Sequence, residues 1–444
     1  MLVSPGSIAV AVGLVAVLSA VGMEHIAHRT EPPGRVHVLY WEKWTGSEFA
    51  GIKTAVDGFN HSQDRIFVDL LSESDIGNKT MFATSAGEPP DVAGLWGENV
   101  PQYADEHAIE PLDKYCAEFG VKPSDFIPCY WDMSTYEGHV YGLPSTPTSF
   151  ALQYNEDLVR KAGFDPDKPP KTIEELDAMS NKIVKRTNGH LDVAGFLPTE
   201  PGWTMWVYPS YFGGGLYDGK GHLTADRPEN IRAFKWVATY PQALGALAIN
   251  SFQKGFGGFD SPQNSFLMGE VAMELHGVWL QMYRARFAPN LKIKVAPFPA
   301  PADRPDCASV AGVGMDIMVI PRGARHPREA FEFMKYMESE HVMELLCQSH
   351  GTNSPLARSS DWFFRTHQNP DIRLFDRLAK SPGAISPPRI GIWREYSAEL
   401  SAAFDRINLL QATPKEALGE VQNRMQPRFE LYNRRLEMRK AQGL

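Results

Sequence analysis

"LYWEKWTGSEFAGI" (residues 39–52) passes from strand to helix across two tryptophans and two charges. Before it, Val36, Val38 and Tyr40 alternate as one face of a strand. From its second half onward, Phe49, Ile52, Val56 and Phe59 recur at helical spacing. A core accepts the rings but rejects unpaired charges, and a solvated loop accepts the charges but gains nothing from the rings. Trp41, Glu42, Lys43 and Trp44 therefore mark a surface where rings and charges both have something to meet.

The alternation continues outward. Residues 66–71 form a second strand. A helix through Met81 and Phe82 stops at Gly87, where Pro89 and Pro90 enforce the break, and residues 91–95 form a buried strand ending at Trp96. Strands alternating with helices predict a parallel sheet covered on both faces, with ligands beyond the carboxyl ends of the strands. Trp41, Trp44 and Trp96 all fall at such ends. Further along, Ser47 and Asp226 are expected helix caps, Thr172 with Glu175 and Thr413 with Glu416 read as capping boxes, and "HGVWLQMY" turns from a strand into a helix through Trp279.

A chain of 444 residues is too long for one core and implies two or three domains or one fold of two lobes. Its net charge of −9, with no basic run, excludes nucleic acid as a partner. The uncharged run "IAVAVGLVAVLSAVGM" (residues 8–23) and the polar tether after it make residues 1–35 a secretion signal or an uncleaved anchor, placing the protein in the periplasm or otherwise outside the cytoplasm. The four cysteines match neither a redox motif nor a zinc site, and the thirteen histidines are scattered, so no cofactor and no metal are expected. Cys116 and Cys129 enclose a short loop and are expected to pair after export, the alternative being two buried thiols. Cys307 and Cys347 are expected to stay reduced.

"SAGEPPDV" (85–92), "YGLP" (141–144), "LQYNEDLVRKAGF" (152–164), "FLMGEVAMELHGVW" (266–279), "HPREAFEFMKYMES" (326–339) and "GTNSPLA" (351–357) together resemble the family 1 extracellular solute-binding proteins of the maltose-binding type. The resemblance covers nearly all of the chain from Val36. It implies an α/β fold of two lobes, a periplasmic-binding-protein architecture with parallel-rich sheets, flanking helices and a ligand cleft between the lobes. Lobe one would hold 36–143 and 316–350; lobe two would hold 151–308 and C-terminal helices over 356–444. Hinge crossings would lie near 144–150, 309–315 and 351–355. The implied role is a monomeric receptor that passes a sugar to the permease subunits of an ABC transporter. At the first crossing this chain has "PSTPTSF", hydroxyls where the maltose type carries an acidic side chain, so the resemblance leaves the sugar unnamed.

A pyranose offers an apolar C–H face and an equator of hydroxyls, which call for flat rings flanked by charged or amide groups. The candidates are Trp41, Glu42, Lys43, Trp44, Trp96, Glu98 and Asn99 on one rim, Trp203 and Trp279 on the other, and Thr148 and Asn353 at the crossings. The competing reading for each ring is core packing, and for each charge a solvated loop. Two other functions fit less of the pattern. One is a binder of a phosphorylated polyol such as glycerol-3-phosphate or a glycerophosphodiester, held by helix N-termini and hydroxyls such as Thr146 and Thr148. The other is a secreted glycan-active enzyme, although no spacing singles out a pair of catalytic carboxylates and no GxSxG, HExxH or P-loop motif is present.

Overall fold

The structure, a computed structural model, describes residues 34–442, so all but the end of the expected leader lies outside the described residues. The first strands are β1 (Val36–Glu42), β2 (Ile66–Ser72) and β3 (Val92–Trp96), with α1 (Gly46–Ser62) and α2 (Ile76–Ser85) between them. A small hairpin of β4 (Thr135–Tyr136) and β5 (His139–Val140) precedes the long β6 (Gly142–Asn155). Then come β7 (Lys185–Thr187), β8 (His190–Phe196), β9 (Val271–Gly277), β10 (Ile293–Ala296), β11 (Ala311–Val319) and β12 (Ala384–Ile385).

One sheet path runs β2-β1-β3-β11-β6-β9-β8-β7, with β10 beside β6 and β12 beside β11. The expected parallel pairing holds at its flanks, in β1 with β2, β1 with β3, and β8 with β9. The centre differs: β11 is antiparallel to β3 and β6, and β6 is antiparallel to β9 and β10. The reason is the length of two strands. The segments expected as crossings, 144–150 and 309–315, fall on the middle of β6 and on the start and first half of β11. The N-terminal half of β6 pairs with β11 and its C-terminal half with β9.

Two cores lie against the first half of the sheet. The α1 face packs Val38, Tyr40, Ile52, Val56 and Phe59 with Phe331 and Phe333; the opposite face gathers Leu95, Tyr103, Tyr130 and Ile317. The second half has its own core of Leu152, Phe196, Tyr208, Phe234, Met273 and their neighbours. Alternation in β1 explains the split, since residues i and i+2 share a face. Tyr40 and Glu42 point to one side and Trp41 to the other.

The C-terminal part departs from expectation. Phe363 of α3 (Asp361–Thr366) and Ile372, Phe375 and Leu378 of α4 (Ile372–Ala379) still pack in the core of the first half. Only from Ile390 does the chain join the second core, through Trp393, Tyr396 and Leu400 of α5 (Trp393–Asn408) and Leu418, Val421 and Met425 of α6 (Pro414–Ala441). The core thus changes between Ala379 and Ile390, beyond the expected 351–355. That earlier segment is held to the first half, with Ile127 N–H donating to Pro355 O at 2.9 Å.

The caps divide. Thr413 and Glu416 form the full box, and Thr172 accepts from the Glu175 backbone. Ser47 instead donates to Glu48 inside α1, and the helix over Pro228–Leu244 begins after Arg227 rather than on an Asp226 cap. The four cysteines are free, which corrects the expected Cys116–Cys129 pair. Cys116 packs in the α1-side core, whereas Cys129 packs against the opposite one and donates to Ala379 O at 3.2 Å. Burial pushes the two thiols up to about 11 and about 12.

Asn353 is wholly buried where β6 passes beneath it. Its amide accepts from the Ser149 hydroxyl and donates to the Tyr130 hydroxyl, each at 3.0 Å. It ties the crossing strand to its neighbours. Asn353→Ala removes both bonds from a buried site and is expected to cost on the order of 2 kcal/mol, read as a lower urea midpoint with an unchanged slope.

Candidate ligand-binding site

Past the carboxyl ends of β1, β3, β8 and β9 the chain encloses a cleft of ≈ 610 Å³. β6 brings Thr146, Pro147 and Thr148 to it, and β11 brings Gly314, Met315 and Asp316. Its first wall carries Trp44 and Glu48 from the β1–α1 seam and Trp96 and Glu98 from the end of β3.

The second wall is a run of rings. Phe150 meets Trp203 at 5.1 Å between centroids, Trp203 meets Trp279 at 5.5 Å and 31°, and Phe259 meets Trp279 at 6.2 Å. Trp279 reaches this position because β9 ends on a glycine: its ring folds back over Gly277, where a Cβ would lie 2.4 Å from Trp279 Cη2. Trp206 and Trp393 extend the wall. Ser397 and Ser401 follow Trp393 at successive turns on one face of α5. At the mouth, Tyr283 donates to Glu48 Oε1 at 2.5 Å, a bond from the second half of the molecule to the first.

The charges are arranged beneath the rings. Glu42, 2% exposed, accepts from Tyr40 Oη at 2.6 Å and from Lys43 N–H at 2.8 Å. It fits against β3 because residue 94 is glycine, since a Cβ there would lie 1.9 Å from Glu42 Oε2. Lys43 Nζ lies 3.3 Å from Glu42 Oε1 and 3.1 Å from Asp316 Oδ1. Although burial opposes it, Asp316 and Glu42 together hold the ammonium above its usual range. Asp316 also accepts from Thr146 Oγ1 at 2.5 Å. Burial, aided by nearby Asp316, pushes Glu98 up to about 7 against the pull of its own backbone N–H and of Lys43. His350, edge-on to Trp44 at 5.7 Å, is held below its usual range by burial, and its Nε2 has no partner among the described residues.

Of the residues expected at a binding surface, the cleft gathers Trp44, Trp96, Glu98, Thr148, Trp203 and Trp279. Trp41 turns to the far face of β1 and packs with the Leu95–Tyr103 core. Glu42 and Lys43 sit below the lining, Asn99 precedes the helix over Val100–Asp105 without lining the cleft, and Asn353 ties the crossing strand. Sequence reasoning missed Glu48, Phe150, Tyr283, Asp316, His350 and Trp393 as lining residues. The only local signal among them was Trp393 following a proline-rich turn.

The profile of the bacterial extracellular solute-binding proteins matches residues 54–361. The chain belongs to this family. Members similar to it include a binding protein of Brucella abortus (strain 2308), 25% identical over 415 residues, 92% of this chain and 95% of that one. The arabinooligosaccharide-binding protein of Bacillus subtilis (strain 168) is 24% identical over 346 residues, 72% of this chain and 78% of that one. Among solved structures, CpMnBP1 with mannobiose bound superposes with a TM-score of 0.77 at 26% identity, covering 88% of this chain and 99% of that one. The two-lobed fold of the solute-binding proteins is therefore the fold of this chain.

Glu98 gives a stability test with a defined sign. An unfolded glutamate titrates near ~4.3, so between there and about 7 the folded protein holds the extra proton. Stability from this group falls as pH rises through that window and is level above it. Glu98→Gln removes the ionisation. The variant is expected to gain melting temperature over the parent at about pH 8 and to come close to it at about pH 4, by thermal melts at both.

Proposed function

We propose that this protein is a receptor that closes two lobes around an uncharged oligosaccharide and delivers it intact to the permease of an ABC importer. The observation that carries the reading is the division of labour in the cleft. Rings stand on both walls, Glu48, Glu98 and Asp316 lie among them, and among the described residues no lysine or arginine lines the space. Flat rings cover C–H faces and carboxylates accept hydrogen bonds from hydroxyls. A phosphorylated polyol fits this lining poorly, because Lys43, the cation beneath it, is already held by two carboxylates.

The relatives named for arabinooligosaccharide and bound to mannobiose support the same class of ligand. In this reading lobe one is the half with β1 to β3, lobe two the half with β8 and β9. The hinge is the middle of β6, the first half of β11 and the segment between Ala379 and Ile390. The apolar run at 8–23 supports export and a tether to the outer face of the membrane, with the protein working as a monomer. A receptor returns its sugar unchanged, which separates it from a glycan-active enzyme.

The test is a thermal-shift panel of mannobiose, maltotriose and glycerol-3-phosphate, followed by chromatography of the recovered sugar. A neutral sugar at 100 times its Kd is expected to add about 2.7 kcal/mol of stability, with glycerol-3-phosphate silent and the sugar recovered intact. Stabilisation by glycerol-3-phosphate alone, or a cleaved sugar, overturns the reading. Trp279→Ala is expected to weaken sugar binding about thirtyfold, on the order of 2 kcal/mol. It should also lower the melting temperature, since the ring packs against three cores as well as the cleft.

A further inference from the structure

We propose that Lys43 is the positioning residue of the cleft: without touching ligand, it fixes the Trp44 and Trp96 rings and the Asp316 carboxylate that do line it. Its side chain is 6% exposed and is not part of the lining. Nζ stands 5.1 Å from the centroid of the Trp44 ring and 5.2 Å from that of Trp96, so one ammonium serves two rings from different strand ends. The same nitrogen reaches Asp316 Oδ1 at 3.1 Å, Glu42 Oε1 at 3.3 Å and Gly94 O at 3.4 Å. Asp316 is pinned from its other side by Thr146.

The backbones of β1, β3 and β11 are already in register, with Asp316 opposite Trp96, and these contacts add a side-chain link among the groups that project from them. Trp44 follows β1, Trp96 ends β3 and is 39% exposed, and Asp316 lies on the crossing strand β11. A ring this exposed has little packing to choose its orientation, and an ammonium beside it supplies a direction. Glu42 supplies the second carboxylate, and its own place is secured by Tyr40, a backbone N–H and the space over Gly94. The charged pair in "WEKW" is thus the support beneath the rings.

The inference rests on the oligosaccharide reading for its affinity readout but also has one that needs no sugar. Near-ultraviolet circular dichroism of the unliganded protein is expected to change in Lys43→Met. It should stay the same in the control Lys53→Met, whose side chain is exposed and pairs only with Asp57. With mannobiose as probe, Lys43→Met and Asp316→Asn are each expected to weaken binding about thirtyfold. The double variant should be no more than about threefold worse than the weaker single, because Lys43 acts through the groups it holds. The double variant also covers a failure of Lys43→Met to fold, since it removes both members of the pair and leaves Glu42 bonded to Tyr40. An unchanged dichroism spectrum in both Lys43→Met and the double variant overturns the proposal, as do losses that multiply in the double variant, which would mean that Lys43 contacts sugar directly. If the parent binds no neutral sugar, the oligosaccharide reading fails and the dichroism result still decides the role of Lys43.

Discussion

The ladder between β6 and β11 is the constraint on which the other parts depend. These two antiparallel strands run from one half of the sheet into the other, so every residue beyond them is placed relative to a shared pair of backbones. At the cleft the ladder carries a side-chain link as well, from the Thr146 hydroxyl to the Asp316 carboxylate. The register with β6 slips between Met315 and Ile317, beside that link, and Asp316, at the slip, lines the cleft together with Gly314 and Met315. A bulge at such a point re-aims a side chain that regular pairing would send elsewhere.

On this frame the two walls are built by different physics. The second wall is made of rings that pack on one another and on a core, so its shape is set by van der Waals contact and by the close approach at Gly277. The first wall has fewer ring contacts and is set by charge. Lys43 lies between two rings and two carboxylates, inside a region where water no longer screens them. A buried ammonium is tolerated there because the opposite charges are within contact distance and hydrogen-bonded in turn. The cleft therefore presents acceptors and apolar faces while its cation stays beneath the surface.

The tryptophan pair shows what was legible in the sequence. That rings and charges at a strand-to-helix seam face a cleft was legible, and Trp44, Trp96, Trp203 and Trp279 all line it. Which of Trp41 and Trp44 would line it did not follow from composition. Strand alternation sends Trp41 to the opposite face, where it joins another core. Glu42 and Lys43 are at the site but below its surface, a difference of depth that no local pattern encodes. Asn353 read as a ligand contact because it is polar and close to a crossing; it is a tie because Ser149 and Tyr130, far away in the chain, occupy its amide.

The sequence by itself determined the alternation of strands and helices, the net negative charge, and the strand ends at which rings gather. Those depend on periodicity, net charge and local turn chemistry, which neighbours in the chain decide. Only the tertiary structure decided the charge pairing of Lys43 with Asp316, the return of Trp279 over Gly277, the bond from Tyr283 to Glu48 and the point where the C-terminal chain changes cores. Each joins atoms by through-space distance or close contact, some of them more than two hundred residues apart. A side chain's role there is set by which partner reaches it first and by how much water remains.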